Sequence, residues 1–249
     1  MMELGIEGKT ALVTGAAGGL GAAIAEALAA QGVVVAVADI RLDLAGSVAG
    51  RIRAMGHRAF GVAMDVTDAS SVDGAFQEIE DQAGSPDILI NNAGFTRDNR
   101  IGKMPESDWD AVVDVVLKGA YLCTKRALPA MVAREWGRIV SISSRAHLGN
   151  PGQANYSAAK AGLLGFTRAM ALENGRFGIT ANAIAPGIID TAAVRQLPHY
   201  ERIVENAKAT LPIRRIGCPQ DISDAVSFLA SERASYITGE VLHVTGGRY

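Results

Sequence analysis

Residues Val33–Ala38 read VVVAVA, an apolar run rich in β-branched side chains. Alternate residues of a strand point to opposite faces, so a strand built from this run is apolar on both. Such a strand belongs inside a parallel sheet with helices packed on each side. The rest of the chain keeps the same rhythm. Further strands are expected at Thr10–Thr14, Arg58–Met64, Asp87–Ile90, Arg138–Ser143, Ile179–Ala185 and Val241–Val244. Helices are expected at Gly19–Gln31, Leu42–Met55, Ala69–Ala83, Pro105–Leu117, Ala120–Ala133, Asn155–Asn174 and Pro219–Ala230. Residues 188–212, with Pro198 and Pro212, read as irregular. Strict β/α alternation predicts an α/β fold, a doubly wound parallel sheet of about seven strands. No repeat, low-complexity stretch or linker divides residues 1–249, so a single domain is expected.

Charge and composition exclude several classes of function. Lys and Arg number 24 and Asp and Glu 26, for a net charge of −2. That balance offers no electrostatic reason to bind nucleic acid or an anionic membrane. Two cysteines, Cys123 and Cys218, exclude a disulfide framework and a cysteine zinc site. The four histidines, His57, His147, His199 and His243, are scattered, and no metal site is expected. No apolar run approaches the ~18 residues of a transmembrane helix. Glu3 and Glu7 near the start argue against a signal peptide. A cytoplasmic protein acting on a small molecule is the expectation.

The first strand runs into Thr14-Gly15-Ala16-Ala17-Gly18-Gly19-Leu20-Gly21 and then a helix. Glycine serves where a turn reaches positive φ and where backbone must approach a pyrophosphate closely. The helix N-terminus adds free N–H groups and partial positive charge, so this turn is a candidate dinucleotide cradle. Helix–sheet packing alone would explain one of these glycines better than four. Asp39 closes the second strand eighteen residues after Gly21. A carboxylate there can accept the adenosine ribose hydroxyls and would repel a 2′-phosphate, which favours NAD over NADP. Arg41 is the one nearby residue able to turn toward such a phosphate. Tyr156 and Lys160 lie four apart in Tyr-Ser-Ala-Ala-Lys, on one helix face. A nearby ammonium favours the phenolate and should lower the tyrosine pKa from ~10. Tyr156 is therefore the candidate general acid/base.

The Gly-x-x-x-Gly-x-Gly spacing, the Asn91-Asn92-Ala93-Gly94 segment, Tyr156-x-x-x-Lys160 and Pro186-Gly187-x-x-x-Thr191 together resemble the short-chain dehydrogenase/reductase family along almost the whole chain. The resemblance implies a Rossmann-type sheet and hydride exchange between a nicotinamide and a secondary alcohol or ketone. It implies Ser144, Tyr156 and Lys160 as the catalytic group. It implies NAD contacts from Gly15, Gly18, Gly19, Leu20, Gly21, Asp39, Ile40, Asp65, Val66, Asn92, Ala93, Gly94, Tyr156, Lys160, Pro186, Gly187, Ile189 and Thr191. Ser143 lies thirteen residues before Tyr156, the family's usual spacing, whereas strand alignment selects Ser144. Loops absorb deletions more readily than buried strands, which favours Ser144. The family's relay asparagine falls on Val116, whose side chain cannot hydrogen-bond. Relatives form tetramers or dimers through the two long helices, and a homotetramer or homodimer is expected here.

The substrate is less constrained. Ser144, Arg145, His147 and Tyr156 are the candidate contacts, with a lid at about residues 188–212. Arg97, Arg100, Arg195, His199 and Tyr200 are further candidates for holding an anionic group. Asn92-Ala-Gly-Phe-Thr-Arg-Asp-Asn99 and Gly152-Gln-Ala-Asn-Tyr156 resemble bacterial 3-oxoacyl-[acyl-carrier-protein] reductases. Where those enzymes dock an acidic carrier through arginines, this chain has Glu135 and Phe177, with Arg134 and Arg176 adjacent. The leading expectation is an NAD-dependent secondary-alcohol dehydrogenase. A 3-oxoacyl-carrier-protein or 3-oxoacyl-CoA reductase is the alternative. An NAD(H)-binding sensor or subunit with impaired catalysis is the reading from another class.

Overall fold

Strands β1 (Thr10–Thr14), β2 (Val34–Asp39), β3 (Ala59–Ala63), β4 (Ile88–Asn91), β5 (Gly137–Ile142), β6 (Ile179–Pro186) and β7 (Val241–Val244) form one sheet in the computed structural model, which describes residues 3–248. The order is β3-β2-β1-β4-β5-β6-β7, and every pairing is parallel. The chain builds outward from β1 to β3 and then restarts on the other side with β4. The resulting crevice beyond the carboxyl ends of β1 and β4 is where ligands bind in such sheets.

The doubly apolar β2 run is buried between two helical layers. One layer sets α1 (Gly19–Ala30), α2 (Leu42–Ala54) and α9 (Pro219–Leu229) on Val13, Val35, Val37, Ile90, Val140 and Ile184. The other sets α3 (Ala69–Ala83), α5 (Gly119–Ala133) and α6 (Ala154–Asn174) on Leu12, Ala36, Leu89, Ile139 and Ala181. A buried arginine, Arg138, crosses the end of β5. Its guanidinium bonds the carbonyls of Gly137 and Gly178, pairs with Glu232 at 3.2 Å and stacks on Trp136. Its charge is thus compensated by a carboxylate and carbonyl dipoles.

Two expectations are corrected. The helices read as Pro105–Leu117 and Ala120–Ala133 are one continuous rod. Helix α4 (Glu106–Val113) passes through a π turn (Asp114–Lys118) directly into α5. Lys118 and Gly119 keep right-handed helical dihedrals, so glycine here ends nothing. Gly119 instead allows close packing, since a β-carbon on it would stand 2.8 Å from Val66 Cγ2. Residues 188–212 are not irregular: they hold α7 (Ala192–Arg195) and α8 (Tyr200–Thr210). Pro198 lies between these helices, and Pro212 follows the second, so each proline punctuates rather than abolishes helix.

Helix α2 lies close to β3 because Gly61 carries no side chain. A β-carbon on Gly61 would fall 2.7 Å from the Gly46 backbone nitrogen. One on Gly46 would meet nothing within 4 Å. Gly61→Ala should therefore cost about 1–3 kcal/mol in denaturant unfolding, by forcing the helix off the strand. Gly46→Ala should be neutral or stabilise by up to about 1 kcal/mol, through helix propensity alone.

Candidate active site

The glycine turn sits at the crevice between β1 and β4. Gly15 adopts φ +62°, and a β-carbon on it would press 2.8 Å from Ala93 Cα. A β-carbon on Gly21 would strike the Gly15 carbonyl at 2.5 Å and Asn92 Nδ2 at 2.6 Å. These two positions are closed by protein. Gly18 and Gly19 differ: a β-carbon on either would meet no protein atom within 4 Å. They open the first turn of α1, which has no side-chain cap and no acidic residue. A bare helix N-terminus behind an open glycine pair suits a pyrophosphate in charge and space. Leu20 packs on the core behind the turn.

Asn92 sets the turn's shape. Its Nδ2 donates to the Thr14 carbonyl at 2.8 Å and the Gly15 carbonyl at 3.0 Å. The Thr14 hydroxyl accepts from the Asn92 and Ala93 amides and donates to the Ile90 carbonyl. Asn92 was expected as a cofactor contact; in the structure its amide is occupied with the backbone of the cradle.

Asp39 faces the same turn. Its Oδ2 accepts from the Ala17 amide at 3.2 Å, and Oδ1 accepts from the Arg41 amide at 3.1 Å. The Arg41 guanidinium lies 3.5 Å from that carboxylate. Ile40 beside it is 68% exposed, an apolar surface open to an adenine ring. Asp65 Oδ1 accepts from the Thr67 amide and hydroxyl, and Val66 is buried.

Tyr156 and Lys160 stand on one face of α6, with the ammonium 5.4 Å from the phenol ring centre. Asn155 anchors this part of the helix. Its Nδ2 donates to the Arg97 and Asp108 carbonyls, and its Oδ1 accepts from the Tyr156 amide. The two serines after β5 separate clearly. Ser143 is buried and donates to the Lys160 carbonyl at 2.9 Å. Ser144 caps the turn Arg145–Leu148 through the Ala146 amide, and its hydroxyl acts on the Tyr156 phenol. Burial pushes that phenol above its ordinary pKa; the Ser144 hydroxyl opposes the rise and the Asp98 carboxylate adds to it. The expected lowering of the tyrosine pKa is thus corrected: desolvation outweighs the Ser144 hydrogen bond. Lys160 is itself buried and its pKa is pushed down to about 7. Its Nζ donates to the Ile142 carbonyl at 2.6 Å. Val116, in the π turn, lies against this compartment: a β-carbon on Gly94 would meet Val116 Cγ2 at 3.2 Å and Lys160 Nζ at 3.4 Å.

Pro186 ends β6, and Gly187 passes within 3.0 Å (as a β-carbon) of Thr245 Cα. Ile189 is buried, and the Thr191 hydroxyl caps α7 through the Val194 amide. Arg195 and Tyr200, expected as free anion contacts, are both taken by Asp190. Arg195 makes two bonds of 2.9 Å and the Tyr200 hydroxyl a third. Arg97 stacks on Phe95. Arg134 pairs with Asp87 at 3.0 Å and bonds the Pro86 carbonyl. His147 Nε2 lies 2.9 Å from His243 Nε2, a pairing across 96 residues. Asn155, Asp98, Asp190 and His243 were not singled out as site residues by the sequence. Asn155 and Asp98 carried a signal, their places inside the Gly152–Tyr156 and Asn92–Asn99 motifs. Among the described residues no cluster of His, Cys, Asp or Glu could hold a metal, and no helix is long and apolar enough to cross a membrane.

A buried lysine next to the phenol should weaken the fold that holds it. Lys160 loses its proton near pH 7 when folded and near 10.5 when unfolded. The unfolded chain then binds more protons between those values, so this group makes stability rise with pH across that window. Lys160→Met should remove that slope and leave the cofactor-free protein unchanged or about 1–4 kcal/mol more stable at pH 7, measured by denaturant unfolding.

Comparison with known proteins identifies the family. Residues 15–248 match a family model described as enoyl-(acyl carrier protein) reductase. The chain is 44% identical to the 3-oxoacyl-[acyl-carrier-protein] reductase FabG of Aquifex aeolicus over 250 residues, covering both chains completely. It is 42% identical to the (2S)-[(R)-hydroxy(phenyl)methyl]succinyl-CoA dehydrogenase subunit BbsD of Thauera aromatica, with 98% of each chain covered. Among solved structures, a proposed short-chain alcohol dehydrogenase of Sinorhizobium meliloti superposes with a TM-score of 0.93 at 36% identity, covering 98% of each chain. The chain belongs to the short-chain dehydrogenase/reductase family and is an oxidoreductase acting on CH–OH groups.

Proposed function

We propose that the protein is an NAD-dependent dehydrogenase that interconverts a secondary alcohol and a ketone. The observation that carries the reading is the convergence of Ser144, Tyr156 and Lys160 beside the crevice that the glycine turn opens. Gly18, Gly19 and the bare first turn of α1 would hold the pyrophosphate, and Asp39 the adenosine ribose. NAD, when bound, supplies the hydride acceptor and a positive ring next to the phenol. Tyr156 takes the proton from the substrate hydroxyl in oxidation and returns it to the carbonyl oxygen in reduction. Ser144 donates a hydrogen bond to that oxygen and orients it. Lys160 lies beside the phenol and, when protonated, favours its ionised form. The Asp190 bonds to Arg195 and Tyr200 brace a lid over residues 188–212.

Asp39 supports NAD in particular. Its carboxylate already lies on the Ala17 amide, and the turn between Gly15 and Leu20 carries no cation to balance a 2′-phosphate. Arg41 pairs with Asp39. FabG relatives are the reason to keep a 3-oxoacyl thioester among the substrates. Of the thioesters, a coenzyme A ester is favoured over a protein-borne one, because Glu135 would repel an acidic carrier and Arg134 is tied to Asp87. The apolar groove of Tyr121, Leu128, Pro129, Phe166 and Met170 between α5 and α6 fits the expected face between subunits, which light scattering would test.

Titration with NADH and NADPH, followed by a nicotinamide-absorbance screen of aliphatic, aromatic, anionic and 3-hydroxyacyl-CoA alcohols, tests the reading. NADH should bind more tightly, and Asp39→Ser should weaken it by about 1.5–3 kcal/mol. Preference for NADPH would overturn the role given to Asp39. Tyr156→Phe should lower turnover by about 10²–10⁴ with NADH binding retained. Tight NADH binding with no turnover on any class would favour the sensing reading, with Val116 as the first residue to exchange.

A further inference from the structure

The chain beyond β5 turns at once, and what holds that turn is a pair of imidazoles. Ser144 opens the turn by accepting from the Ala146 amide at 3.1 Å. Three residues on, His147 reaches past β6 to β7, where the two Nε2 atoms lie 2.9 Å apart. The ring centres are 5.2 Å apart and the planes are tilted by 47°. In register, His243 stands opposite Ala185 of β6, and paired residues of neighbouring strands present their side chains to the same face. The single methyl of Ala185 leaves room for the bridge above it.

A hydrogen bond between two ring nitrogens needs one donor and one acceptor. The hydrogen of neutral His147 is assigned to Nδ1, which leaves Nε2 as acceptor. His243 Nε2–H is then the donor. A second proton, on His147 Nε2, would set two donors face to face. Burial first, and His243 second, hold the His147 pKa below its ordinary value. The elements packed on the turn add no other charge to this imidazole. Helix α6 carries Tyr156, Lys160, Arg168 and Glu173, the turn carries Arg145, and β6 has no ionisable side chain; of all these and His243, only His243 acts on it.

We propose that His243 is a positioning residue: through His147 it seats the turn that carries Ser144, and acid opens this latch. The proposal rests on the reading that the Ser144 hydroxyl meets the substrate oxygen. The sign follows from the lowered folded value. The contact is intact above the ordinary histidine range and is lost as pH falls through the folded pKa of His147.

The test compares wild type with His243→Gln, whose amide does not titrate and can turn its oxygen to accept from a protonated His147. Amide exchange of residues 145–149, corrected for intrinsic rates, is followed by mass spectrometry from about pH 8 to about pH 5. Wild type should lose protection of this segment in acid, and His243→Gln should keep it. Protection that does not change with pH in wild type, or falls equally in both, overturns the latch. Turnover of whichever alcohol the screen identifies adds the kinetic arm. The acid limb of kcat should flatten in His243→Gln, with cofactor affinity unchanged. An unaltered kcat–pH profile overturns the positioning role. A normal Tyr156→Phe loss beside that result would leave the proposed function standing and remove only this inference. Full turnover in Tyr156→Phe would remove the proposed function, while the exchange experiment still decides the latch.

Discussion

Everything near the crevice hangs on one hydroxyl and one amide. Where β1 and β4 part, the sheet changes its direction of growth and two loops must diverge without leaving backbone groups bare. Thr14 and Asn92 meet that demand. The Thr14 hydroxyl links β1 to the chain after β4 through three backbone groups, and the Asn92 amide takes the two carbonyls that end β1. Buried backbone polar groups that go unpaired cost about as much as a lost hydrogen bond each. The knot therefore fixes the path of the glycine turn, and with it the direction of α1. A cradle for anions thus depends on a residue whose own side chain faces protein.

Lysine burial is the second constraint, and it acts against the fold. An ammonium enclosed beside Val116 and Gly94, with a carbonyl at 2.6 Å, is poorly compensated compared with Arg138 on the same strand's far end. Arg138 has a carboxylate and two carbonyls around it and a ring beneath. The contrast separates a charge that is structural from one that fits the chemistry of the proposed function, since perturbed groups cluster at functional sites. Tyr156 shares the condition. Both groups are held toward their neutral forms, which suits a phenol that gives a proton to a carbonyl oxygen in reduction, whereas taking one from an alcohol requires the phenolate.

Much of this was legible in the chain. The apolar β2 run, the β/α rhythm and the glycine turn depend on local pattern, and each appears where pattern placed it. Ser144 was preferred to Ser143 because a buried strand keeps its register while a loop shortens, and in the structure Ser144 faces the Tyr156 phenol while Ser143 bonds the Lys160 carbonyl. The lid helices were not legible. Two prolines suggested irregularity, although Pro198 and Pro212 fall between and after helices rather than within them. The rod through Asp114–Lys118 was read as two helices, whereas Gly119 between them is helical and its missing side chain makes room for Val66. Residues distant in sequence were the hardest. Nothing near His147 announces His243. Asp190, though only five residues before Arg195 and ten before Tyr200, was passed over as the partner of both. The direction of the Tyr156 shift required knowing how much solvent the fold removes.

The π turn has a consequence for how this helix came to be arranged. A turn of this kind carries one residue more than an α-helix needs, and one residue is about 100° of rotation. Everything after Lys118 is thereby turned by roughly that angle relative to everything before Asp114. Val112 and Val116 face Ala159 and Leu163 on α6, while Cys123, Ala127 and Met131 face the sheet. One rod thus serves two partners that lie in different directions. Excision of a single residue from this stretch would restore regular winding at the expense of that division. Gly119 would swing off Val66, and the apolar seam of α5 would rotate out of the layer it now completes.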